Sequence, residues 1–316
     1  MRRRPSVLEW IVLVQILVVG FLVGDYYVWM RTKPGWIMAL HSDDAQTRSR
    51  AAQQLGEGGE ENAQAIPALV QLLEDPDNSV GSSAAQALRR IGGVPALIQA
   101  CKSPNPVVRM RSIQALTYSN PEDPATLDQR VTMFAEALKD PDPRVRTFAA
   151  NALRAAGQAG AQAAPALIEA LDDPDPYVRQ GAVEALGAMK SLEGLRQALD
   201  SPDWSVRIRA IGQLHGFGPE AVPAIIHALD DRNGSIVSQA ADMLSQMAPN
   251  DPRTLPALIR ALTHPDTQAR ASAVTALERL GPQALPALRD AMTDSNPSVA
   301  RMAREAVSRL ERRAGN

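Results

Sequence analysis

The sequence is poor in the residue types that build catalytic and metal sites. Among 316 residues it has one cysteine, Cys101, which excludes an intrachain disulfide and a thiolate metal cluster. The histidines form no HExxH motif, and no GxxxxGK[ST] phosphate-binding loop is present; the histidines are residues 41, 215, 227 and 264. We therefore expect a non-catalytic protein without a cofactor or metal, in which Cys101 fills part of the core.

Aromatic residues and lysines are also scarce. Aromatic side chains make up 4% of the chain while hydrophobic residues make up 45%, so a core has to be built from Ala, Leu, Val and Ile. The formal net charge of −2 gives no general attraction for nucleic acid. Only four of the 33 basic residues are lysine, and this preference for arginine is typical of a GC-rich bacterial genome.

The N-terminal segment differs from the rest of the chain. Residues 10–24 contain no charged residue, and aromatic residues flank this stretch on both sides, as in the belts at membrane surfaces. A helix over residues 7–29 would be about 34 Å long, enough to cross a hydrocarbon core of roughly 30 Å. We predict a cytoplasmic stub over residues 1–6, a transmembrane helix over 7–30 and a linker over 31–35.

Two other interpretations of this segment are weaker. A cleaved signal peptide would need small residues at the cleavage site, but DYYVWM follows Gly24. A buried core helix would need apolar surroundings that the later sequence does not offer. The three arginines at 2–4 favour a cytoplasmic N-terminus, which puts the rest of the chain in the periplasm of a bacterial inner membrane protein. Gln15, Gly20 and Gly24 are candidates for helix packing within the bilayer, because Gly20 and Gly24 have small-xxx-small spacing.

From about residue 35 onward the sequence repeats at intervals of 28 to 37 residues, which is typical of a solenoid. Nine polar turns recur, and each contains one Asp or Asn that we predict to be the N-cap of a helix. These are Asp44, Asp77, Asn105, Asp142, Asp175, Asp203, Asn233, Asp266 and Asn296. Seven residues later comes a small residue, Ala in eight units and Ser112 in the third, and four beyond that a Leu, or Val307 in the last. This spacing marks one face of a helix that packs closely against its neighbours.

Another helix is predicted before most turns, from segments such as IPALVQLLED, APALIEALDD and LPALIRALTH. It is the first helix of each pair, and the helix after the turn is the second. The combined pattern, xPALIxALxDPDPxVRxxAxxALxxxG, resembles that of HEAT repeats, in the short form also seen in phycobilisome lyases. The resemblance extends from residue 35 to about 313. It implies an all-α, HEAT-like α-solenoid of about nine helix pairs over residues 36–313, after one transmembrane helix. This fold serves scaffolds, adaptors, lyases and some DNA-repair proteins.

Six units carry an arginine four residues after the N-cap. The resemblance implies that these arginines and the turn aspartates form a polar ladder between successive repeats. It assigns this role to Asp142 with Arg146 and to Asp175 with Arg179, and by the same pattern to Asp203, Arg207, Asp266 and Arg270. A catalytic cluster is needed once, whereas this one recurs, so we interpret it as structural.

Two departures from the repeat indicate contact surfaces. Tyr177 and Trp204 lie in the first turn of the second helix in adjacent units, and together they are expected to make one exposed patch. The alternative is that the two rings only shield their turns. The segment TYSNPEDPATLDQR, residues 117–130, lengthens the connection between units three and four as a contact loop or as a surface bulge.

These observations predict a non-catalytic, membrane-anchored scaffold or stabilising subunit of a larger membrane complex, respiratory or photosynthetic. Its partners are expected to be protein subunits and the lipid bilayer, with no nucleic acid and no small-molecule substrate. One alternative is a free periplasmic adaptor or receptor that binds soluble partners transiently. Another is a HEAT-type lyase or other enzyme, which would require a ligand pocket that no motif marks.

Overall fold

A computed structural model describes residues 33–118 and 124–314. Those residues are helices and short connections without a β-strand, so the all-α prediction is confirmed for them. None of the helices in these two ranges is both long and apolar enough to span a bilayer. The predicted transmembrane helix, with Gln15, Gly20 and Gly24, lies outside the described residues.

The chain divides into two compact bodies, residues 1–133 and 134–316. The helices that the structure describes up to the division are α1 Lys33–Ala39, α2 Ala45–Glu57, α3 Ile66–Gln71, α4 Asn78–Arg90, α5 Val94–Ala100, α6 Pro106–Thr117 and α7 Pro124–Ala137, which crosses it. The second body continues with α8 Pro143–Ala156, α9 Ala164–Glu169, α10 Pro176–Ala188, α11 Leu192–Leu199, α12 Trp204–Leu214, α13 Val222–Ala228, α14 Gly234–Met247, α15 Thr254–Ala261, α16 Thr267–Leu280, α17 Leu285–Asp290 and α18 Pro297–Ala314. Odd-numbered and even-numbered helices are the first and second helices of the predicted pairs.

Two boundaries differ from those expected. Residues 33–35, assigned to the linker, begin α1, since a proline at position 34 is tolerated in the first turn of a helix. Much of the segment 117–130, expected to be a loop or bulge, belongs to α7. In that helix Arg130 is 3% exposed, and its Nη1 donates to the carbonyl of Leu116 at 3.0 Å. This hydrogen bond satisfies a carbonyl at the end of α6.

Within each body the second helices pack side by side, for example α2 on α4 and α14 on α16. The small residue of each unit lies in this contact, and all nine are fully buried: Ala51, Ala84, Ser112, Ala149, Ala182, Ala210, Ala240, Ala273 and Ala303. Glycine allows a still closer approach at Gly56, where a Cβ would lie 2.9 Å from the Cα of Ala87. The core is therefore a row of small and leucine side chains shared between neighbouring units.

Most of the first helices are short, and some end in tight 3₁₀ turns such as Leu72–Glu74 and Ala170–Asp172. Gly157 and Gly281 end α8 and α16 with φ of 55° and 90°, a conformation that favours glycine. Because every turn returns the chain to the same edge of its body, the polar turn residues of successive units come close together.

Candidate contact surfaces and the polar ladder

Each polar turn begins a second helix with a side-chain cap. Asp175 Oδ1 accepts from the backbone N–H of Tyr177 at 2.8 Å and of Val178 at 3.3 Å. The corresponding Asp or Asn of every other unit accepts a backbone N–H in the same way. These contacts satisfy N–H groups that have no partner within the helix.

A second polar position, two residues before each cap, was missed by the sequence analysis. Asp173 Oδ1, for example, accepts from the N–H of Asp175 at 2.8 Å. The residues at this position are Ser42, Asp75, Ser103, Asp140, Asp173, Ser201, Asp231, His264 and Asp294. Only Asp, Ser or His occurs at this position, and each of these side chains can accept a hydrogen bond. This restriction could have identified the position from the sequence alone.

The arginine of a unit links its own turn to the turn of the next unit. Arg146 donates from Nη1 to the carbonyl of Asp140 at 2.9 Å. Its Nε and Nη2 contact the two carboxylate oxygens of Asp173 at 2.7 and 2.8 Å. This bidentate, half-buried pair is a strong form of charged hydrogen bond. The pairs Arg48–Asp75, Arg207–Asp231 and Arg270–Asp294 repeat it.

Arg146 thus does not contact Asp142 of its own unit, and the ladder contact runs from the arginine to the turn of the following unit. Asp142 is turned toward its own helix, where it accepts from the backbone and guanidinium of Arg144, chiefly the latter, which lowers the pKa of Asp142 to about 2. Arg179 likewise bypasses Asp175 and pairs with Asp203 at 2.6 Å. It uses this cap residue because the usual acidic position of that turn is Ser201, which carries no charge.

Three units lack the ladder arginine. In the two that are followed by another unit, a residue of that next unit takes its place. In the second unit Gly81 stands in the arginine position, and Arg111 of α6 donates to the carbonyl of Asp75 at 3.1 Å. In the seventh unit the position is Val237, and His264 Nε2 lies 2.9 Å from the carbonyl of Asp231. These carbonyls are six residues before the missing arginine, where ladder arginines donate elsewhere in the chain.

Tyr177 and Trp204 are both exposed, at 69% and 57%. They occupy different helix positions, since Trp204 is the first residue of α12 and Tyr177 the second of α10. Tyr177 lines a mostly apolar groove of about 210 Å³ with Phe148 and Thr147 of α8, in the preceding unit, and Trp204 is not part of that lining. One continuous patch of both rings stays a prediction, whereas the Tyr177–Phe148 groove is a feature of the structure.

The other candidate residues show no reactive arrangement. The described residues contain no group of three or more His, Cys, Asp or Glu side chains placed to hold a metal ion. His227 Nε2 lies 2.8 Å from Asp200 Oδ1 at the exposed edge of two adjacent units. Burial raises the pKa of the Cys101 thiol to about 12, so this thiol is a poor nucleophile.

Comparison with protein families agrees with the helix pairs. The model of HEAT repeats matches residues 34–117, 94–187, 192–278 and 255–314. No curated protein matches the chain in sequence. Its helices superpose on importin beta, solved in an ammonium sulfate condition, with a TM-score of 0.55 and 15% identity, over 96% of this chain and 49% of importin beta.

Two further solved structures are similar over most of their length. One is an engineered protein, with 21% identity, a TM-score of 0.47 and 88% of each chain covered. The other is the E. coli protein YibA, with 20% identity, a TM-score of 0.47, and 85% of this chain and 99% of that one covered. At these identities the likeness concerns the fold alone.

Proposed function

The chain belongs to the HEAT-repeat family, and on that premise we propose that it is a non-catalytic scaffold held at a membrane by its N-terminal segment. HEAT-like helix stacks of this kind typically bind other proteins rather than perform chemistry. The proposed anchor is the apolar helix over residues 7–30, with Gln15, Gly20 and Gly24 available for packing against helices of a partner. The excess of arginine before it favours a cytoplasmic N-terminus and a periplasmic solenoid.

The observation that carries this proposal is the exposure of Tyr177 and Trp204 beside turns whose ladder arginines are paired within the chain. Tyr177 is 69% exposed above an apolar groove, and Trp204 is 57% exposed one unit further on. Large aromatic side chains are enriched among the residues that dominate protein–protein binding energy. The ladder arginines, in contrast, are occupied by aspartates of adjacent units. We therefore assign protein contact to the aromatic positions and stability to the ladder.

Native sizing of the full chain, extracted from membranes in mild detergent, tests this function. A scaffold subunit is expected to co-migrate with a larger complex in fixed stoichiometry, and Trp204→Ala or Tyr177→Ala should release it while the helices stay folded. Arg232→Ala, an exposed position outside the groove and the ladder, serves as the control. Migration of the chain alone would refute a stable subunit and favour a transient periplasmic adaptor.

A fusion of alkaline phosphatase to the C-terminus tests the placement. The enzyme folds only where disulfides form, so a periplasmic solenoid is expected to give an active fusion. An inactive fusion, together with activity of a fusion at the N-terminus, would reverse the orientation. Release of the protein by carbonate washing would refute the anchor.

A further inference from the structure

Three glutamines occupy one exposed position on three successive second helices of the first body. Gln53, Gln86 and Gln114 each lie nine residues after the N-cap of α2, α4 and α6, and each is exposed. In the second body the same position changes from unit to unit: Asn151, Glu184, Gly212, Asp242, Thr275 and Glu305. Glutamine is a good helix former, but helix propensity alone does not explain its recurrence at this position in three successive units.

The packing of these helices sets the glutamines side by side. Helix α2 packs on α4, and α4 packs on α6. Ser49 and Ser83 form a hydrogen bond of 2.9 Å between α2 and α4, which fixes the register of the two helices. Neighbouring packed helices are about 8–10 Å apart, a distance that an extended peptide covers in roughly two to three residues. The row therefore has the pitch of a stretched polypeptide that crosses the helices.

The amides of this row have unused hydrogen-bonding capacity. Gln53 Nε2 donates to Ser83 Oγ at 3.2 Å, which orients that amide. Gln86 and Gln114 have no hydrogen-bond partner among the described residues. A glutamine amide offers both a donor and an acceptor, and these are the two groups that each peptide unit of an extended segment leaves unpaired. A groove of about 670 Å³ between α2 and α4 leads to Gln53.

Positive charge beside the glutamine row favours a bound chain that carries acidic residues. Arg50 lies one turn before Gln53 on α2, and Arg90 lies one turn after Gln86 on α4. Both are exposed, and neither has a carboxylate within ion-pair distance among the residues that the structure describes. Two acids lie near the row, and both accept hydrogen bonds within their own helix or turn. Glu57 accepts from the Gln54 side chain at 2.8 Å, and Asp77, which lines the groove, accepts from the backbone N–H and hydroxyl of Ser79 at 2.8 and 2.6 Å. The two arginines are thus available for carboxylates of a bound chain.

We propose that the exposed face of α2, α4 and α6 binds an extended acidic segment of a protein partner. The glutamine row pairs with its backbone, and Arg50 and Arg90 pair with its carboxylates. This assignment rests on the proposed scaffold function, for which it names one partner chemistry. It does not use the Tyr177–Phe148 groove, which lies in the second body.

Fluorescence anisotropy with the detergent-solubilised full chain tests the site. The probe is a labelled peptide of about ten residues with alternating Glu and Ser, capped at both ends, and its control carries Lys in place of Glu. The acidic probe is expected to bind and the basic one is not. Replacement of the three glutamines by alanine should weaken binding by about tenfold or more, the effect of three ordinary hydrogen bonds. Arg50→Glu with Arg90→Glu should abolish it.

A matched triple variant separates the site from a general loss of polarity. Gln158→Ala, Gln162→Ala and Gln268→Ala remove three exposed glutamines of the second body and should leave binding unchanged. Equal binding of both probes, an absence of binding to the acidic probe, or unchanged affinity after loss of the row would overturn the assignment. Co-migration with a complex that is insensitive to the row would preserve the scaffold and reject this site. Binding of the acidic probe by a chain that migrates alone would support this site and reject the scaffold function.

Discussion

We predict that Arg111 takes over the hydrogen bond that a ladder arginine at position 81 would make. A variant with both positions changed tests this prediction. Arg111 is 6% exposed and donates from Nη1 to the carbonyls of Leu73 at 2.6 Å and Asp75 at 3.1 Å. Space for its guanidinium exists because position 81 is glycine, where a Cβ would lie 2.1 Å from Nη1. Arg111→Ala leaves two buried carbonyls without a donor, which should cost about 2–5 kcal/mol.

Gly81→Arg should destabilise the wild-type protein, because two guanidinium groups would then compete for one carbonyl. In the double variant the new arginine has the position of the six ladder arginines, which donate to the carbonyl six residues before them. We expect the two changes to couple favourably by about 1–3 kcal/mol. The double variant should regain only part of the lost stability, because the new arginine finds the uncharged Ser103 in the following turn instead of an aspartate. Adding Ser103→Asp should raise the stability further.

The measurement is a double-mutant cycle by urea unfolding, with hydrogen exchange of peptides from α4 as a local readout. Local exchange matters because repeat arrays do not always unfold in one step. Gly212→Arg, at an exposed glycine of α12, is the control and should combine additively with Arg111→Ala. Additivity of Gly81→Arg and Arg111→Ala within about 0.5 kcal/mol would refute the exchange of roles.

Three further predictions follow from the capped turns. Asp175→Ala should lower the free energy of unfolding by about 1 kcal/mol through loss of an N-cap without selectively releasing a partner, whereas Trp204→Ala should release the partner with unchanged unfolding. The pKa of Asp294 is lowered by its ladder arginine. The contribution of Asp294 to stability should therefore be present above about pH 4 and be lost as the pH falls through its pKa in the folded protein. Asp294→Asn should remove that part of the acid transition in a pH series of denaturation curves. Val237→Arg with His264→Asp should rebuild a regular ladder pair and be more stable than either single variant by thermal unfolding; a double variant no more stable than both singles would contradict this.

The sequence pattern was sufficient for features that depend on one helix and its immediate neighbour. An N-cap such as Asp142 and a buried small residue such as Ala149 obey rules of local spacing, which recur in every unit. The partner of Arg146 did not follow from spacing, because it lies 27 residues away and depends on how two turns stack. Arg111 was missed for the same reason, since its site is created by a glycine in another unit.

The candidate contact groove shows a similar limit. The exposed position of Tyr177 was predicted from its place in the first turn of a helix. Its neighbour Phe148 was not, because the two residues are brought together only by the packing of α8 and α10. The patch of Tyr177 with Trp204 stays a prediction. The two residues occupy the second and the first position of their helices, and one position changes the direction of a side chain by about 100°.

The ladder also explains how one surface can vary while the stack stays intact. Each ladder pair satisfies a carbonyl in one turn and a carboxylate in the next, so two units share one guanidinium. Where the arginine is absent, Arg111 and His264 supply a hydrogen bond in the reverse direction, from the later unit to the earlier one. All of these contacts lie at the turns. The exposed helix faces are therefore not needed for the ladder hydrogen bonds. Residues on these faces, such as Gln86, can vary according to the partner that they bind.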